Sequence, residues 1–427
     1  MAEAATGRDL AIAGDETQDN AARGDRARPI PRISIQAFCE NSHTAEAVQV
    51  AADDRRLAKA HVSVHMGGVE AGVAHYQESP TPNLIVVETS LGRMEFLGEL
   101  DRLAECCDAG TKVVVVGVSN DVLLYRELLK RGVSEYLIAP VTPMQVMESI
   151  SNLYNDPGAD PVGHIFAFLG AKGGIGSSTV CHNVSWCVSE MLKSSVVIAD
   201  LDLAFGTAGL DFNQDPVQGI AEALGSPERL DEVLLDRLLT KCSEHLSIFA
   251  APGMLDRDYD LSADSCDIVL DVVCQNVPYV TVDLPHVWTS WSKRILTQAD
   301  EIILTATPDL ASLRNTKNLV DLLKQVRQND RKPHLVINMQ GVPKRPEIPI
   351  KDFESALDLK ACAVIEFDAE TFGQAANNGQ MIEEMSPKAK SVNHFRDIAM
   401  TITGRREHKV EKKSAFAPIL ERFKKKK

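Results

Sequence analysis

The sequence of 427 residues has no run of roughly 18 consecutive apolar residues, the length a membrane-spanning helix requires. Its first residues have no apolar core of signal-peptide length. None of the nine cysteines forms a CxxC pair, and their odd number does not close a disulfide framework; reduced thiols in a cytosol are expected instead of disulfides or a zinc site. Positive charge is also short. The formal net charge of −15 speaks against general nucleic-acid binding, because neutralising phosphates takes clustered Lys and Arg. No internal repeat is visible. These absences lead to the expectation of a cytoplasmic protein, at most peripheral to a membrane.

What is present is ordinary for a soluble globular protein: 44% apolar and 25% charged residues, with length for two or three domains. Residues 1–31, rich in Ala, Gly, Asp and Arg without periodicity, read as a disordered leader. Residues 32–155 alternate short apolar runs (RISIQAF, NLIVVET, KVVVVGV, EYLIAP) with helical patterns, the signature of βα repeats around a parallel sheet. After the Pro/Gly/Asp-rich linker NDPGADPVG, a second series runs over residues 160–405. Its strands are expected at HIFAFLG, SVVIADLD, LSIFAAP, YVTVDLP, EIILTATP, HLVINM and AVIEFD, a doubly wound α/β domain. Residues 406–427 form a basic tail. From Arg405 to Lys427, ten Lys/Arg stand against three Glu, a net of +7, which leaves −22 on the rest of the chain.

Between HIFAFLG and a helical pattern lies AKGGIGSST, Ala171 to Thr179. Against the template G-x-x-x-x-G-K-[ST], Gly176 takes the second glycine and Ser178 the Mg²⁺-holding hydroxyl. Ser177 stands where the template has lysine, and Ala171 where it has the first glycine. Gly173, Gly174 and Gly176 permit a tight path around Ile175, so that successive backbone N–H groups and the helix starting near Ser177 can cradle phosphates. Thr179 is placed to reach an α-phosphate. Lys172 precedes the paired glycines. Asp200 and Asp202 end SVVIADLD and Asp283 ends YVTVDLP, the strand ends where a doubly wound sheet holds its ligand and where carboxylates hold Mg²⁺ or orient water. The bare alternatives are a ligand-free strand–helix turn and solvated loop acids.

KGGIGSST, DLDLAFGTAGLDF and the DLP strand ending resemble the MinD/ParA group of deviant P-loop ATPases. GAKGGIGSSTVCHNVSW, DLPHVWTSW and AANNGQMIEEMSPKAKSVNHFRDIA resemble one branch of it more closely, the CpaE/TadZ pilus-assembly proteins, which often replace the loop lysine. The resemblance implies ATP and Mg²⁺ as ligands and a nucleotide-sandwich homodimer in which Lys172 reaches the partner's phosphates. It implies Asp202 as the water-orienting switch acid, Asp200 as its neighbour near Mg²⁺ and Asp283 as the second switch acid. Asn338, ending HLVINM, matches an adenine-reading asparagine; a polar strand-end cap is the other reading.

Residues 32–155 resemble a response-regulator receiver stripped of its chemistry. Glu88 stands at the phosphoacceptor position, Ala139 at the lysine, and Cys39 and Glu40 where an acidic pair would bind Mg²⁺; Ser119 alone matches. A docking or dimerisation module independent of phosphorylation is expected. In the tail, Phe416, Ile419, Leu420 and Phe423 make one helical stripe flanked by Lys412, Lys413 and Lys424–Lys427, fit either for an anionic membrane surface or for a partner. Trp288 and Trp291 follow Asp283 and read as core aromatics or as a partner-facing surface. The combined expectation is a localisation or assembly factor for a Flp/Tad-type pilus secretion machine at the inner membrane or a cell pole, a weak ATPase with pilus and secretion proteins as partners. The competing readings are a ParA-like partition ATPase binding DNA, which the acidic body disfavours, and a nucleotide-independent scaffold.

Overall fold

The run KVVVVG shows how the first sheet is made. In β4 (Lys112–Gly117), Val114 and Val116 join one apolar cluster while Val113 and Val115 join another, because successive strand residues point to opposite faces. Both faces are covered by helices, so the strand reads as a continuous β-branched run and not as an alternation. Its companions are β1 (Ser34–Cys39), β2 (His61–Met66), β3 (Leu84–Thr89) and β5 (Glu135–Ile138). All pairings are parallel, in the order β2-β1-β3-β4-β5. This is a doubly wound sheet of flavodoxin-like order. The strand β2 was not expected from the sequence: HVSVHM is half-exposed at the sheet edge, and its His and Ser residues interrupt the apolar run.

The computed structural model describes Ile30 and residues 33–154 and 163–405, with breaks at 58–59, 78, 109 and 256–258. The expected leader (apart from Ile30), most of the linker and the basic tail lie outside the described residues. The chain divides into two compact units, residues 1–160 with 323–331, and residues 161–322 with 332–427.

The second unit holds an eight-stranded sheet in the order β13-β12-β11-β6-β10-β7-β9-β8. Its strands are β6 (His164–Gly170), β7 (Val196–Asp200), β8 (Thr240–Lys241), β9 (Leu246–Phe249), β10 (Tyr279–Leu284), β11 (Glu301–Ala306), β12 (His334–Gln340) and β13 (Ala361–Glu366). Every pairing is parallel except β8 with β9, a two-residue edge too short to register as a strand in the sequence. The strand β6 is central, between β10 and β11. Phe166 and Phe168 on it pack into the main core with Val180, Val184 and Val188 of the helix Ser177–Leu192 and with Phe395 and Ile398 of the helix Lys390–Ile402. That packing fixes the strand–loop–helix unit on which the site is built. Two boundaries differ from expectation. The strand β7 closes at Asp200, leaving Asp202 in the following turn, while Asp283 and Asn338 lie inside β10 and β12.

Among the described residues no helix is long and apolar enough to cross a membrane.

Candidate functional site

The loop from β6 to helix α1 (Ser177–Leu192) is pinned at three carbonyls. His286 donates Nδ1–H to the Gly170 carbonyl at 3.0 Å, Asn315 donates Nδ2–H to that of Ala171 at 2.8 Å, and Asn338 donates Nδ2–H to that of Ile175 at 2.8 Å. The Ala171 N–H is anchored on the Thr305 carbonyl of β11 at 2.8 Å. Among the described residues, the N–H groups of residues 172–176 donate no backbone hydrogen bond. A turn whose carbonyls are committed and whose N–H groups are free has the polarity of an anion nest. Gly174 and Gly176 have φ of 73° and 80°, the left-handed region that glycine alone enters freely. Gly176 is also the N-cap of α1 and offers no capping side chain, so the first N–H groups of the helix are left for a ligand.

Where the loop lysine would project, the Ser177 Oγ is buried without a hydrogen-bond partner. Lys172 does not lie over the loop. Its Nζ pairs with Asp309 Oδ2 at 2.6 Å, and Asp309 also accepts from the Thr307 hydroxyl at 2.6 Å and the Ser312 N–H at 3.0 Å. Burial works against ionisation of Asp309, but these hydrogen bonds, with the Lys172 charge, outweigh it and hold its pKa at about 2.

Asp200 and Asp283 are register neighbours at the carboxyl ends of β7 and β10, and both are buried. Asp200 accepts from the N–H groups of Asp202 at 3.1 Å and Ala208 at 3.2 Å. Burial pushes its carboxyl well up from the ordinary range, the charge of Asp283 adds to this, and His182 opposes it. A Cβ on Gly206 would collide with the Asp200 carboxylate, so glycine is needed for the turn to close over it. Asp202 is half-buried and accepts from the Phe205 N–H at 3.2 Å, within its own turn. Burial raises its carboxyl too. One Asp283 oxygen is buried without a hydrogen-bond partner, an orphan acceptor of the kind a bound cation satisfies. Among the described residues no group of three His, Cys, Asp or Glu is placed to hold a metal by itself. A Mg²⁺ at Asp200, Asp283 and Ser178 would therefore draw further oxygens from a nucleotide and from water, as this ion usually does.

Beside the loop a cavity of about 220 Å³ is lined by Gly176, Thr179, Asn183, Asp211, Asn338 and Asp368, among others. Asn338 thus borders this cavity with its side-chain oxygen and one amide hydrogen uncommitted, its other amide hydrogen being spent on the loop. On another flank, His286, Trp288, Asn315 and Leu319 line a cavity of about 460 Å³. The two tryptophans part company: Trp291 is buried in the core, whereas Trp288 is 55% exposed.

The structure bonds Asn338 to the Gly173–Thr179 loop, puts Asp283 on the strand next to β6 and Asp200 one strand further, and leaves Asp202 bonded within its own turn. It adds His182, Asp211, His286, Asp309 and Asn315. His182, Asp211 and His286 lie within the very motifs whose resemblance was noted, but side chains in mid-helix or past a strand end carry no periodic signal. Asp309 and Asn315 come from an unrelated stretch of chain.

No protein-family model matches the chain. The septum site-determining protein MinD of Bacillus subtilis (strain 168) is 24% identical over 257 residues, covering 57% of this chain and 90% of MinD. A crystal structure of a ParA family ATPase from Chlorobium tepidum TLS, 22% identical, covers 56% of this chain and 98% of its own, with a TM-score of 0.51, which shows the fold of the second unit. A crystal structure of the pilus assembly protein CpaE from Caulobacter crescentus CB15 covers 30% of this chain and 98% of its own, with a TM-score of 0.30, and is 53% identical over this N-terminal part. Identity at that level over nearly the whole of the matched protein, joined to a MinD/ParA-type second unit, makes the chain a CpaE-type member of the MinD/ParA group.

Proposed function

We propose that the chain is an ATP-binding localisation or assembly factor for a Flp/Tad-type pilus secretion machine at the inner membrane or a cell pole, dimerising with nucleotide and hydrolysing it slowly. The observation that carries this reading is the loop, which keeps every element for binding anions and lacks the lysine that most helps hydrolysis. Its N–H groups are free, its helix end is uncapped, and Ser177 stands at the lysine position. Losing that lysine removes a charge-assisted contact worth about 1.5–3 kcal/mol. It also removes part of the field that stabilises a transferring phosphoryl group. The residues for ATP are Gly173–Thr179; those for Mg²⁺ are Ser178, Asp200 and Asp283, with Asp202 orienting water and Asn338 at the base. Bound Mg²⁺ would neutralise phosphate charge.

Dimerisation is supported by the surface around the loop. Phe205, Leu255, Trp288 and Leu310 are all strongly exposed, and each follows the carboxyl end of a parallel strand, β7, β9, β10 and β11. Apolar side chains after four strand ends of one sheet form the kind of surface a second copy covers. The first unit serves as a docking module without phosphorylation, because Glu88 occupies the acceptor position and is engaged: Oε2 accepts from the N–H groups of Glu40 and Asn41 at 2.8 Å each, and Oε1 from the Thr44 hydroxyl at 2.6 Å.

Calorimetric titration with ATP and Mg²⁺, followed by sedimentation of the wild type and Lys172→Ala, tests the reading. Binding with dimerisation lost in the variant is expected. No ATP binding would leave the scaffold; DNA binding at moderate salt would instead favour the partition ATPase.

A further inference from the structure

The strand β2, with the sequence HVSVHM, is an edge of the first sheet, and among the described residues it pairs with β1 alone. Its register on β1 runs from Ser34 to Cys39 without a shift. The bonds at the two ends of this ladder fix its phase. The His61 N–H donates to the Ile33 carbonyl and the Gly67 N–H to that of Cys39, both at 2.8 Å. A strand turns the backbone groups of alternate residues to opposite sides, so Val62, Val64 and Met66 direct theirs away from β1, off the edge. Proteins usually blunt such an edge with a lysine, a proline, a bulge or a covering element. This strand has no Lys, Arg, Asp, Glu or Pro, and no bulge. His61 and His65 are exposed and Met66 is 55% exposed. Val50, on the helix Ser42–Ala52 that packs against β2, is 41% exposed.

The residues His61-Val62-Ser63-Val64-His65 read the same in both directions. Two copies meeting antiparallel about a twofold axis through Ser63 set Val62 opposite the partner's Val64 and His61 opposite the partner's His65, with the two Ser63 facing at the axis. This register agrees with the phase of the ladder. Val62 and Val64, whose backbone groups point outward, form a pair that exchanges both hydrogen bonds. Ser63, whose groups point to β1, falls at a pair without hydrogen bonds, where side chains come closest. Valine opposite valine and hydroxyl opposite hydroxyl are favourable cross-strand pairs. We propose that the first unit pairs with a second copy of this chain through β2, joining two five-stranded sheets into one of ten strands. The contact needs no nucleotide and does not rest on the reading of the phosphate loop.

Sedimentation equilibrium of the full chain in EDTA, without nucleotide, reads this contact apart from any nucleotide-dependent one. A dimer is expected at concentrations up to about 100 µM. Val64→Pro removes an outward N–H and leaves the ladder with β1 in place, as an edge strand tolerates. It is expected to weaken the dimer about tenfold, because two hydrogen bonds are lost per dimer. Ser63→Lys and Ser63→Glu each set like charges face to face at the axis and are each expected to weaken the dimer about fivefold. Mixed in equal amounts, these two variants set opposite charges face to face and are expected to regain the dimer. Misfolding cannot produce that recovery, so the mixture decides the matter if Val64→Pro does not fold. A wild type that stays monomeric, a dimer indifferent to the substitutions, or a mixture no stronger than its two components overturns the proposal.

Discussion

Lys172 Nζ lies 2.6 Å from Asp309 Oδ2, so the lysine proposed to reach a partner's phosphates is held on its own subunit. The pair is open to solvent on the lysine side, which puts its strength at about 1 kcal/mol or less. That is weak enough for a partner's phosphates to win and strong enough to register. Asp309→Asn is expected to strengthen ATP-dependent dimerisation by up to about fivefold, the factor that about 1 kcal/mol gives. Sedimentation equilibrium in ATP reads the dimer constant directly. Unchanged or weaker dimerisation in the variant would remove the latch.

The same carboxylate has a pH signature. Asp309 titrates at about 2 in the folded chain, below the ordinary 3.8, so it favours folding above the ordinary value. That contribution is lost as pH falls from about 4 towards about 2. Unfolding measured across this window is expected to fall less steeply in Asp309→Asn than in the wild type. Parallel acid limbs for the two proteins would contradict the assignment.

Much of this site was legible in the sequence because glycines and strand-end acids are local signals. AKGGIGSST sits between a strand and a helix in the structure as its composition implied, and Asp200 and Asp283 meet because two apolar runs are parallel neighbours in one sheet. The partners of these residues were not legible. Asp309 reaches Lys172 across 137 residues of chain, and Asn338 reaches Ile175 across 163. Such pairings are set by strand order, which hydrophobic periodicity does not encode. The edge strands β2 and β8 escaped for a different reason: one alternates apolar with polar residues, and the other is two residues long.

Gly176 should not tolerate a side chain. Its φ of 80° costs a non-glycine residue about 1–2 kcal/mol. A Cβ there would also sit 2.7 Å from Asn338 Nδ2. Gly176→Ala is expected to lower the melting temperature and to weaken ATP binding by at least tenfold, because the loop must move off Asn338. Full-strength ATP titration in a destabilised variant would show that the loop path is not what binds.

Glu88 holds two backbone N–H groups where its first-unit helix Ser42–Ala52 begins. Truncation to Ala strands both, at about 1–3 kcal/mol for each unsatisfied group. Gln can turn its oxygen to the N–H pair and its amide to Thr44, so Glu88→Gln is expected to cost about 1 kcal/mol and Glu88→Ala clearly more. Scanning calorimetry of the full chain resolves the two. Equal losses would mean that the carboxylate's hydrogen bonds do not hold the helix.

Asn338 is where two roles meet and can be separated. It is buried, donates to the Ile175 carbonyl at 2.8 Å and also lines the cavity beside the loop. If its work is to brace the loop, truncation frees the Ile175 carbonyl and weakens every nucleotide alike, whatever the base. If it reads adenine, ATP suffers and GTP does not. The hydrogen bond to Ile175 uses one of the two amide hydrogens and leaves the other, with the side-chain oxygen, free for a base; each such hydrogen bond is worth about 0.5–1.5 kcal/mol. Asn338→Ala is therefore expected to weaken ATP and GTP together through the loop, with a further loss for ATP of no more than about a hundredfold. Competition titrations of both nucleotides against a common fluorescent analogue measure the two components at once. A selective loss of ATP with GTP unchanged would assign Asn338 to the base alone and remove it from the loop's support.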